Sequence, residues 1–66
     1  MPIIRVEMFR GRTAEQKKKI ARELIDGFIR AAGGGKPEAF NVIFTDVDKQ
    51  DWAAGHEMMS EKYPDN

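Results

Sequence analysis

Two stretches of alternating hydrophobicity flank a single long helical pattern, and this order leaves few ways to arrange the chain. From Pro2 to Phe9 the residues read PIIRVEMF, with Ile4, Val6 and Met8 on one face and Ile3, Arg5, Glu7 and Phe9 on the other. One face is uniformly apolar and the other mixes apolar with charged groups, which predicts a sheet covered on one side and partly occupied on the other. A second strand is predicted over Ala39 to Asp46, with Phe40, Val42 and Phe44 on one face and Asn41, Ile43 and Thr45 on the other. A crossover of this length with one helix implies parallel strands and a right-handed connection. The fold class is therefore α+β, built on one short βαβ unit.

The helix between the strands has clear start and stop signals. Thr13-Ala14-Glu15-Gln16 has the spacing of a capping box, in which Thr13 and Gln16 satisfy each other's unpaired backbone donors. Apolar residues then recur at Ile20, Ala21, Leu24, Ile25, Phe28, Ile29, Ala31 and Ala32, while Lys17, Lys18, Arg22, Glu23, Asp26 and Arg30 mostly lie away from them. The stripe is wider than packing on two strands requires, so its margin is expected to meet another subunit. Gly33-Gly34-Gly35 ends the helix and Pro37 prevents its resumption. Beyond Val47 come a turn-like Asp48-Lys49-Gln50-Asp51, a large aromatic at Trp52, a short helical turn or hairpin, and a tail from Tyr63 to Asn66. Met58, Met59 and Tyr63 are read as packing on a neighbouring subunit.

Two parallel strands and one helix leave sheet edges and a sheet face uncovered, and open edges invite pairing with another chain. The 66 residues make one domain, 1–66, and a chain so short hides only about 60% of the surface its unfolded form exposes. With no cysteine and a single histidine, His56, neither disulfides nor a metal of the usual ligand sets can compensate. Self-association remains. Lys plus Arg equals Asp plus Glu at 11 each, so no net field draws the chain to nucleic acid or an anionic membrane. No signal-like or membrane-spanning run is present, and the expected setting is the cytoplasm. Lys17-Lys18-Lys19 reads as a solvated helix face, and Gly33-Gly34-Gly35 follows a helix where a phosphate loop would open one.

A chain that opens Met1-Pro2-Ile3-Ile4, carries Gly11-Arg12-Thr13-Ala14-Glu15-Gln16-Lys17 at the head of its helix and continues through Asn41-Val42-Ile43-Phe44-Thr45-Asp46 resembles the 4-oxalocrotonate tautomerase family over nearly its whole length. The resemblance implies a βαβ subunit that dimerises into a four-stranded sheet with two helices on one face, commonly as hexamers built from three dimers. It also implies catalysis without a cofactor. By the same resemblance the base is the secondary amine of Pro2, exposed once Met1 is removed. Such a base works best with a pKa near the working pH, a condition favoured by an apolar surrounding and nearby cations.

Arg12 matches the family's carboxylate-binding arginine, and a guanidinium pairs with a carboxylate in bidentate fashion. Arg5 and Arg10 match no family role and read as surface charges, with Arg10 held in reserve for substrate binding. Asn41 occupies the position of a second family arginine; it donates a hydrogen bond but carries no charge, and it reads equally well as an interface residue. Trp52 aligns with the aromatic wall around the amine, or serves as a core or interface anchor. Phe9 matches an apolar pocket position or is plain core. After the aromatic, many relatives have a glycine-rich hairpin, where this chain has Ala53-Ala54-Gly55-His56.

The functional expectation is enol to keto tautomerisation of a 2-hydroxydienoate or related 2-oxo acid, with Pro2 shuttling the proton and Arg12 holding the carboxylate. Two alternatives stand beside it. One is hydration, dehalogenation or decarboxylation of a small unsaturated or oxo acid; the other is an oligomeric interaction module without catalysis.

Overall fold

A computed structural model describes residues 1–64. Strand β1 (Ile3–Phe9) leads to helix α1 (Ala14–Ala32), and a 3-10 turn at Pro37–Ala39 leads into strand β2 (Asn41–Val47). After a second 3-10 turn at Lys49–Asp51 come a two-residue strand β3 (Ala53–Ala54), its partner β4 (Glu57–Met58) and the short helix α2 (Met59–Lys62). Asp65 and Asn66, the end of the expected tail, lie outside the described residues.

β1 and β2 are parallel, in register from Ile3 opposite Asn41 to Phe9 opposite Val47. The ladder continues past both ends of the strands. Asn41 N–H donates to the Pro2 carbonyl at 3.0 Å, and Arg10 N–H donates to the Val47 carbonyl at 3.1 Å. The second strand thus starts two residues later than the sequence pattern suggests and ends one later. Pro37 accounts for the shift, because its carbonyl takes the Phe40 N–H at 3.0 Å and turns Ala39 and Phe40 out of the ladder. Phe40 packs instead on Phe28 of α1, ring centroids 5.1 Å apart and edge to face.

The capping box forms as its spacing requires. Gln16 N–H donates to Thr13 Oγ1 at 3.1 Å and Thr13 N–H donates to Gln16 Oε1 at 2.8 Å. At the other end Gly33 adopts φ 84°, a conformation that penalises any side chain, and the Gly33 and Gly34 N–H groups both close on the Ile29 carbonyl. The half-buried strand residues Ile4, Val6, Met8, Val42, Phe44 and Asp46 share one face, and Lys17 Nζ reaches from α1 to Asp46 Oδ2 at 2.8 Å. Lys17 is therefore not part of a solvated face. It lies three and four residues before Ile20 and Ala21, which puts it on the sheet side of the helix.

The hairpin forms with a single glycine. Gly55 at φ 63° takes the first central position of the two-residue turn between β3 and β4, where the backbone must enter the left-handed region. Met59 N–H then donates to the Trp52 carbonyl at 2.8 Å, folding α2 back onto the chain. Met59 becomes the one buried hydrophobic side chain among the described residues, so it packs within its own subunit and not on a neighbour.

That scarcity of core governs the molecule. The radius of gyration is 15.0 Å, where a compact chain of this length has about 11 Å. Its accessible surface is 5329 Å², against about 4,200 Å² for a folded monomer of this mass. Ile3 and Ile43, on the uncovered sheet face, are 54% and 42% exposed.

The Lys17–Asp46 pair is about three-quarters shielded from solvent on both sides, so removal of one partner strands a poorly solvated carboxylate. Lys17→Ala is expected to lower stability by about 1–3 kcal/mol in urea denaturation, against about 1 kcal/mol for Thr13→Ala. Equal, negligible effects from both would contradict this account of how α1 is fixed.

Candidate active site

The C-terminal end of β1 gathers the site's aromatic and cationic side chains. Strand alternation puts Phe9 on the face away from α1, with Arg5 and Glu7. The 3-10 turn after β2 is closed by Asp51 N–H donating to the Asp48 carbonyl at 2.8 Å. It delivers Trp52 onto Phe9 with ring centroids 4.5 Å apart at 61°. Tyr63, following α2, reaches the same ring from further out, at 6.3 Å. Lys49 ties these pieces together, donating to the Tyr63 carbonyl at 2.8 Å while its ammonium sits 5.9 Å from the Phe9 ring centroid.

Beside this cluster runs a groove of about 520 Å³ bounded by Glu7, Phe9, Arg10, Arg12, Lys49 and Trp52. Its two arginines differ in their engagements. Arg10 Nε donates to Asp48 Oδ1 at 2.7 Å. That hydrogen bond, and then the Asp48 charge, hold the Arg10 guanidinium above its ordinary pKa. Arg12 is exposed and has no ion pair with any described residue, Glu15 included. An unpaired guanidinium next to an apolar aromatic wall suits a small organic acid, since the carboxylate finds a bidentate partner and the carbon skeleton finds the rings.

Pro2 is half-buried at the opposite end of β1, and the seven residues of that strand span about 23 Å. The ladder brings the main chain of Asn41 to that of Pro2. The Asn41 side chain belongs to the open face with Ile3 and Ile43, and it is exposed there. The structure thus unites Phe9, Trp52 and Arg12 in one groove and leaves Pro2 and Asn41 at the far end of the same subunit. Glu7 and Lys49 are groove residues that the sequence did not single out. Glu7 was visible as a charged member of the open face, whereas Lys49 reaches the groove only through the turn after β2.

Comparison with known proteins agrees with this architecture. The sequence model of the Tautomerase enzyme family matches residues 2–62. A protein named probable tautomerase from Ralstonia nicotianae is 37% identical over 62 residues, covering 94% of each chain. Another of that name from Lactococcus lactis is 40% identical over 62 residues, covering 94% of this chain and all of its own. Among solved structures, a 4-oxalocrotonate tautomerase homologue is 31% identical, with a TM-score of 0.76 over 92% of this chain and 95% of its own. A structure from work on the 4-oxalocrotonate tautomerase isozymes of Methylibium petroleiphilum is 26% identical, with a TM-score of 0.83 over 94% and 98%. The chain belongs to the tautomerase family.

Trp52 is the only tryptophan, so its fluorescence reports on this wall. Phe9→Ala removes the ring that covers it and is expected to shift the emission to longer wavelength as water reaches the indole. An unchanged spectrum would mean that another group shields Trp52.

Proposed function

We propose that the protein catalyses cofactor-independent tautomerisation of a 2-hydroxydienoate or related 2-oxo acid, with the Pro2 amine as base and acid. Once Met1 is removed, that secondary amine takes the proton of the enol hydroxyl and becomes an ammonium. A proton is returned to carbon, the carbonyl forms, and the amine is regenerated. Nothing is oxidised or reduced, and the product is an isomer of the substrate. An aromatic wall disfavours the ammonium by excluding water and a nearby guanidinium disfavours it by charge, so the Phe9–Trp52 pair and Arg12 both favour the neutral base.

The observation that carries this reading is the unpaired Arg12 guanidinium beside the Phe9–Trp52 pair, in a groove open enough for a small acid. Its distance from Pro2 within one subunit implies that each site takes its base from one copy and its carboxylate anchor from another. A second copy joined edge to edge about a twofold axis runs antiparallel, which sets the Arg12 end of one strand beside the Pro2 end of its partner. That pairing makes a four-stranded sheet with two helices on one face, and three such dimers would make a hexamer. Asn41 adds a hydrogen-bond donor without charge, which favours a singly charged 2-oxo acid over a dicarboxylate. The proposed location is the cytoplasm; no helix among the described residues is long and apolar enough to cross a membrane.

Glu7 gives the hydration alternative one point of support, because it brings a carboxylate into the same groove. Hydration would add the mass of water to an unsaturated acid, whereas tautomerisation leaves the mass unchanged.

The test is ketonisation of phenylenolpyruvate and 2-hydroxymuconate by protein whose intact mass shows loss of Met1. Pro2→Ala is expected to lower kcat by about 10²-fold or more. Arg12→Ala is expected to raise KM by about 10- to 100-fold with a smaller change in kcat. Equal rates for wild type and Pro2→Ala would remove Pro2 from the mechanism.

A further inference from the structure

Arg10 stands between two grooves. It borders the one containing Arg12 and Trp52, and it also borders a neighbouring depression with Asp48, Lys49, Gln50 and Ser60. Asp48 belongs only to the second, and its carboxylate draws the Arg10 guanidinium to that side at 2.7 Å. The third cation of the substrate groove, Lys49, has its ammonium committed to the Tyr63 carbonyl.

We propose that Asp48 is a specificity-determining residue: by holding Arg10, it leaves Arg12 as the guanidinium offered to substrate and tunes the site to acids with one carboxylate. The inference rests on the reading of Arg12 as the carboxylate anchor. A substrate with a second carboxylate needs a second cation; Arg10 lines the groove, but the Asp48 carboxylate on its Nε partly neutralises its charge and restricts where its remaining N–H groups can point. The same substrate also brings its extra negative charge toward the Asp48 carboxylate. Both effects act against doubly charged acids and leave singly charged ones nearly untouched.

The size of the effect follows from exposure. The Arg10 and Asp48 side chains are 63% and 43% exposed, so the pair is screened by water and holds Arg10 only loosely. Its release should change affinity by about two- to fivefold, the range expected of an exposed pair. The main chain does not depend on it. Arg10 N–H is fixed separately by the Val47 carbonyl, and the Asp48 side chain makes no capping bond to the turn that follows it.

The experiment compares KM for 2-hydroxymuconate, with two carboxylates, and phenylenolpyruvate, with one. It uses the Met1-processed protein at low ionic strength. Asp48→Ala is expected to lower KM for the dicarboxylate about two- to fivefold while leaving that for the monocarboxylate within the error of measurement. Adding Arg10→Gln to Asp48→Ala should abolish the gain, and Asp48→Glu should restore the original ratio. The proposal is overturned if both KM values move together, or if the gain survives Arg10→Gln. Arg12→Ala separates this failure from that of the underlying reading. If it raises both KM values while Asp48→Ala leaves their ratio unchanged, only the role of Asp48 is wrong. If it changes neither, the anchor itself is misassigned and the inference falls with it.

Discussion

One helix can cover only one face of a two-stranded parallel sheet, and the rest of this molecule follows from that shortage of cover. α1 shields the face carrying Val6 and Phe44, and the opposite face keeps Ile3 and Ile43 largely in water. Burial of apolar surface is the main source of folding free energy, so a chain with one buried side chain among its described residues has little stability to draw on alone. The extended shape and the surplus surface point the same way. The proposed pairing of copies uses the open strand edges and supplies the missing burial.

The same shortage shapes the site. A subunit with a full core of its own could build a pocket from both ends of its chain. Here the candidate base and the candidate anchor are separated by the length of β1, and only a second copy running the other way would close the distance. In the proposed assembly, folding and catalysis would be linked, because the contacts that would stabilise the sheet would also complete the proposed pocket. Charge is deployed within that frame by environment. Lys17 and Asp46 neutralise each other under the helix, Arg10 and Asp48 do so at the surface, and Arg12 is left over in a groove lined by aromatic rings.

Much of this was legible in the residues themselves. Period-two alternation located both strands and assigned their faces, and the Thr13–Gln16 capping box and Gly33 bounded the helix, because these signals are local and act through neighbouring backbone groups. Local signals were weakest where a turn competed with a strand. Ala39 and Phe40 continue the apolar alternation, yet the Pro37 carbonyl captures Phe40 N–H and delays β2. Lys17 was misread because its charge suggested solvent, although its helical spacing from Ile20 placed it toward the sheet. Met59 could not be assigned from sequence, since its burial depends on the hairpin folding back to the Trp52 carbonyl. The aromatic and arginine components of the candidate site came from resemblance. Their convergence in one groove, and the different engagements of Arg10 and Arg12, required three dimensions.

Subunit mixing tests most directly whether each site is shared between copies. Pro2→Ala and Arg12→Ala proteins, each weakly active alone, would be unfolded together at equal concentration, refolded as mixed oligomers and assayed for ketonisation. If base and anchor come from different copies, random assembly gives about one site in four with both residues intact, and activity should rise to about a quarter of wild type. Activity no greater than the average of the two separate variants, in oligomers shown to be mixed, would contradict the shared site and return Pro2 and Arg12 to a single chain.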